Sequence, residues 1–86
     1  MSVIRCIEYA DGRVSPAEGM YLKSFDPDAY DGMGHAEWTP NRWEAMQFTK
    51  PFGALNTWRQ QSTVRPFRSD GKPNRPLTAY SVVIEP

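Results

Sequence analysis

The chain has 86 residues, ten basic and ten acidic side chains, one Cys and one His. That length holds one domain, and a lone cysteine with a lone histidine exclude a disulfide framework and a zinc site built from four cysteines or from two cysteines and two histidines. Zero net charge and a pI near 6.6 exclude a polybasic binder of the histone kind.

Val3–Tyr9 is rich in β-branched residues and predicts a strand, with Val3, Arg5, Ile7 and Tyr9 on one face and Ile4, Cys6 and Glu8 on the other. Asp11-Gly12 marks a turn, Ser15–Gly19 continues the connection, and Met20–Phe25 predicts a second, antiparallel strand. Asp26–Gly34 is a loop holding three carboxylates and two glycines. Trp38-Thr39-Pro40 then predicts a helix from Pro40 to about Phe48, with Thr39 as N-cap and Pro40 at the first helical position. Trp38 and Trp43 would close a hydrophobic staple, and Trp43, Met46 and Ala45 would be buried. Pro51 starts a second helix running to about Gln61, whose apolar stripe is Phe52, Leu55 and Trp58. Val64–Arg68 is extended, 69–76 is a turn-rich loop, and Leu77–Ile84 closes the chain as a strand with Tyr80, Val82 and Ile84 on one face. The order β-β-α-α-β predicts an α+β domain over residues 1–86: an antiparallel sheet of about three strands with two short helices on one face. Its open sheet edges leave a homodimer as one form of self-association.

Eleven aromatic side chains (Trp 3, Tyr 4, Phe 4), burying about 150–250 Å² each, supply the apolar area that a core without disulfide or metal needs. They exceed what one small core hides, and Tyr30 and Phe67 are the expected surface members. No run approaches the ~18–20 apolar residues of a membrane span. A charge at Arg5 without a small-residue cleavage site argues against a secretory signal, and an unpaired Cys6 fits a reducing compartment. The expectation is a cytoplasmic protein with no membrane contact.

The neutral total conceals an asymmetry. Residues 1–43 carry four basic and seven acidic groups, residues 44–86 six basic and three acidic. Arg59, Arg65, Arg68, Lys72 and Arg75 form a basic run able to neutralise a few phosphates. Asp26, Asp28 and Glu37 have the outer spacing of a calcium loop. Tyr30 and Asp31 stand where that loop needs a ligand and a glycine, so an Asx-type turn is the simpler account. His35-Ala36-Glu37 lacks the cysteine pair of a deaminase, and Cys6 within an apolar strand is an inert hydrophobe rather than half of a Cys6–His35 dyad. No catalytic residue, metal ligand or cofactor is assigned. Pro73-Asn74-Arg75-Pro76 fits P-x-x-P but more simply stiffens a loop.

Gly19-x-Tyr21-Leu22-Lys23-Ser24-Phe25-Asp26-Pro27, Trp38-Thr39 with Ala45 and Phe48, Trp58-Arg59, and the run Asp70–Tyr80 together span most of the chain. In these the chain resembles small uncharacterised proteins encoded by tailed bacteriophages and prophages of proteobacteria. The resemblance implies a phage accessory protein that acts in the bacterial cytoplasm, where such proteins bind and redirect host components, including defence systems.

The expectation is therefore a non-enzymatic module that binds a host or phage protein, with inhibition of a host system as one outcome of that binding. Its contact surface would be the loops Asp26–His35 and Arg65–Arg75, through Asp26, Asp28, Tyr30, Asp31, His35, Arg65, Phe67 and Arg68. The alternative is nucleic-acid binding through Arg59, Arg65, Arg68, Lys72 and Arg75, with Phe67 or Trp58 stacking on a base.

Overall fold

The β-favouring stretch Val3–Tyr9 forms β1, an interior strand of the sheet. β2 (Tyr21–Asp26) and β4 (Tyr80–Glu85) flank it, and β3 (His35–Thr39) lies outside β2. The computed structural model describes all 86 residues. It is α+β, with four antiparallel strands in the order β3-β2-β1-β4. The strand beyond the expected three is β3, where Ala36 and Trp38 turn to the core while His35 and Glu37 face solvent. That alternation is strand-like, but Thr39-Pro40 masks it by imitating a helix start.

Two bulges set the faces. In β1, the register slips between Cys6 and Glu8, so Ile4, Cys6 and Tyr9 share a face instead of the expected grouping of Tyr9 with Val3. Tyr9 thereby stacks on Tyr80 at 5.3 Å. In β2, a slip between Leu22 and Ser24 lets Leu22 and Phe25, three residues apart, both point inward. The core on this face is Ile4, Leu22, Ala54 and Leu77, ringed by Phe25, Ala36, Trp38, Met46, Phe48, Trp58, Tyr80, Val82 and Ile84. The opposite face carries a cluster in which Glu85 accepts from Arg5 at 3.2 Å and from Arg42 at 2.9 Å.

Two short α-helices form, and Pro76–Ala79 makes a 3-10 turn that buries Leu77, so the closing strand starts at Tyr80 rather than at Leu77 as expected. α1 (Ala29–Gly32) is a single kinked turn, and α2 (Pro51–Trp58) lies on the core face. Pro51 opens α2 as expected, but the helix stops at Trp58, short of Gln61. The residue that seats it is Ala54, fully buried, while Phe52 is 65% exposed. Two residues are about 200° around a helix, so seating Ala54 turns Phe52 away.

The expected helix from Pro40 to Phe48 is absent, and only Arg42–Glu44 makes a 3-10 turn. Thr39 ends β3, and its hydroxyl accepts the Asn41 N–H at 3.1 Å and donates to Glu44 at 2.7 Å. Trp43 is 79% exposed, so no staple forms, and Trp38 instead meets Tyr80 at 5.1 Å. The reason lies in the sheet. β1 and β2 pair around Arg5 and Tyr21. Nearer Val3, residues 46–48 occupy the space between them. The Met46 N–H donates to the Leu22 carbonyl at 2.9 Å, and Ser2 and Phe48 exchange bonds of 2.7 and 2.8 Å. Backbone groups of splayed strands need partners; supplying them requires 46–48 to be extended. No helix is long and apolar enough to cross a membrane.

Candidate functional site

The loops after β2 and after α2 meet at one carboxylate. Asp26, at the end of β2, accepts the Asp28 N–H at 2.9 Å, the Asx turn expected from its sequence. That turn aims Asp28 at residues 62–64. Its carboxylate accepts from the Ser62 hydroxyl (2.9 Å), the Thr63 N–H (2.7 Å), the Thr63 hydroxyl (2.7 Å) and the Val64 N–H (3.3 Å). Hydrogen bonds to the charged form favour it, and those from Thr63 foremost pull the Asp28 pKa down to about 2.

Beyond this latch the chain turns sharply. Tyr30 and Asp31 both adopt the left-handed region, at φ 53° and 57°. For a bulky residue such as Tyr30 this is strained, at roughly 1–3 kcal/mol, whereas Asp tolerates the region better. The surroundings hold them there. Asp31 pairs with Arg65 at 2.8 Å, and the Asn74 side-chain amide donates to the carbonyls of Gly32 (2.6 Å) and Arg65 (2.9 Å). Gly32 and Gly34 complete the turn at positive φ, with their backbones against Arg65 and Pro76. As a result the Tyr30 ring is 70% exposed, edge-on to His35 at 5.7 Å.

The second loop is itself ordered. Phe67 and Pro73 form a bridge, Arg68 bonds to Asp70 at 2.7 Å, and the Asn74 N–H donates to Pro66. Phe67 is exposed, as are Met33 and Val64. A shallow cavity of about 380 Å³ lies between the loops, lined by Met33, Arg68, Asn74, Arg75, Pro76 and Thr78 among others.

All eight residues of the expected contact surface thus belong to one loop assembly: Asp26, Asp28, Tyr30, Asp31, His35, Arg65, Phe67 and Arg68. Their roles differ. Asp26 and Asp28 build the assembly, while Tyr30, His35 and Phe67 are presented by it. Sequence reasoning missed Ser62, Thr63 and Asn74, the donors that close it. A Ser-Thr pair and an Asn between two prolines were the available signals, but neither names a partner more than thirty residues away.

The basic run is not one surface of free charge. Arg65 and Arg68 are paired with carboxylates, and Arg59 leans on Asn56 at the end of α2. Lys72 and Arg75 have no carboxylate within 4.0 Å. Cys6 is fully buried in β1, separated from His35 by β2, and burial pushes its thiol pKa up. His35 lies 3.7 Å from Glu37, both about half exposed. No three His, Cys, Asp or Glu side chains converge as a metal-binding group.

No protein-family model, curated protein or solved structure matches this chain.

Proposed function

We propose that this protein is a non-enzymatic binding module of the phage accessory type, which recognises a protein of a bacterial host or of the phage through the latched loops. The observation that carries this reading is the Asp28 latch, which fixes two loops and so presents Tyr30, Met33, Val64 and Phe67 from one assembly. Tyr and Arg are enriched at interface hot spots and Phe and Met at interfaces generally, and preorganisation lowers the entropy lost on binding. The nucleic-acid alternative draws on Arg59, Lys72 and Arg75, the cations of the basic run without carboxylate partners; the local pairing of Arg65 and Arg68 favours a protein partner instead.

The test uses the tagged full chain as bait in proteobacterial lysate at physiological salt, beside a Tyr30→Ser/Phe67→Ser double variant. A specific partner bound at least about thirtyfold more weakly by the variant is expected, the effect of losing a hot spot of ~2 kcal/mol. Equal recovery by both proteins, or no partner above background, overturns the reading. A shift of DNA or RNA at low salt that is lost in Lys72→Ala/Arg75→Ala would favour the alternative.

A further inference from the structure

We infer that the free edge of β4 pairs antiparallel with β4 of a second copy of this chain, across a two-fold axis at Val83. The sheet has two edges, β3 and β4. β3 is short and presents His35 and Glu37 to solvent, the usual protection of an edge. β4 has no such guard. Its one charge, Glu85, is held on the sheet face by Arg5 and Arg42.

The direction of the β4 backbone follows from β1. The Cys6 N–H donates to the Met20 carbonyl and the Cys6 carbonyl accepts the Gly19 N–H, so Cys6 points to the β2 side. Backbone groups alternate along a strand, so Val3 and Arg5 point to β4, where they meet Glu85 and Val83. Tyr80, Val82 and Ile84 therefore turn their N–H and C=O outward. The Tyr80 carbonyl is taken by the Trp58 indole N–H at 3.1 Å, which leaves Val82 and Ile84 as the open ladder positions.

An antiparallel copy that satisfies both residues pairs Val82 with Ile84 of the second copy, and Ile84 with its Val82. Val83 then falls opposite itself, and Ser81 opposite Glu85. Apolar meets apolar, no like charges oppose, and four backbone hydrogen bonds form. Val83 is 40% exposed on the outer face. On the other face Leu55, Trp58, Val82 and Ile84 line an open, wholly apolar groove of about 160 Å³, with exposed Phe52 one turn before Leu55. The two-fold brings two such grooves together over one continuous sheet. This self-complementary register is the argument for a second copy as the occupant rather than a foreign strand.

The contact is small, so association belongs to the weak class below about 1,200 Å² and depends on concentration. Sedimentation equilibrium of the full chain, from about 10 to 500 µM, is expected to show the mass rising from 9.8 kDa toward twice that value. Over the same range, amide exchange at Val82 and Ile84 slows. Val83→Glu and Val83→Lys each weaken self-association at least about tenfold by placing like charges across the axis, and their equimolar mixture restores it. Phe52→Glu, outside every strand, also weakens it and serves if a Val83 variant fails to fold. A mass of 9.8 kDa throughout overturns the proposal, as does undiminished association of the folded variants. Failure of the mixture to associate, when each variant alone is folded, overturns the axis at Val83.

Discussion

At Gly34 a methyl group would stand 2.4 Å from Cβ of Pro76, on a backbone at φ +83°. Both the close approach and the left-handed backbone demand glycine, so Gly34→Ala is expected to lose about 2–4 kcal/mol in a thermal or urea melt. Asp28 acts by charge rather than size. Its pKa is near 2 when folded against an ordinary 3.8, so its contribution to stability is full above that ordinary value and is lost as pH falls through about 2. In a proton NMR titration the Thr63 and Val64 amides should report a midpoint near 2; a midpoint near 3.8 would mean that the latch is open in solution. Asp28→Ala should speed exchange of both amides at neutral pH and converge with the native protein at low pH.

The element that most distinguishes this fold is the extended segment 46–48 between β1 and β2. Met46→Pro removes the donor to the Leu22 carbonyl and is expected to cost about 2–3 kcal/mol. Trp43→Ala should change stability by no more than about 0.5 kcal/mol, because its ring is in solvent. A stapled helix over Pro40–Phe48 would give a different pair of results, with Trp43 sensitive. In α2 the sensitive position is Ala54, where Ala54→Leu overpacks the contact with Ile4 and Leu22 by about 1–3 kcal/mol. Both comparisons need only chemical denaturation curves of matched slope.

Across the whole molecule, ion pairs join the two oppositely charged halves of the sequence at two points. Folding crosses them: Arg65 from the basic half meets Asp31 from the acidic half, and Glu85 meets Arg5 and Arg42. The exposed Asp31–Arg65 pair should show a coupling of only about 0–1 kcal/mol in a double-mutant cycle. Its consequence is local neutrality beside the exposed Tyr30 ring, which the proposed protein partner would meet. Self-association through β4 would use a separate surface, because α2 and the β4 edge carry none of the latched loop residues.

Short-range chemistry made much of this legible in advance. β1, β2 and β4 follow from β-branched runs and alternation, Pro51 starts α2, and Gly, Pro and Asp mark the loops that hold Tyr30 and Phe67. Each signal acts over a few residues, so one chain displays it without knowledge of its neighbours. Tertiary structure alone decided that Thr39-Pro40 ends a strand and that 46–48 fills a gap in the sheet. It also decided that Asp28 captures Thr63 and that β4 lies at an edge. These depend on backbone and carboxylate groups finding partners tens of residues away. Such pairing is decided by which strands and loops pack side by side, which propensity along the chain does not encode.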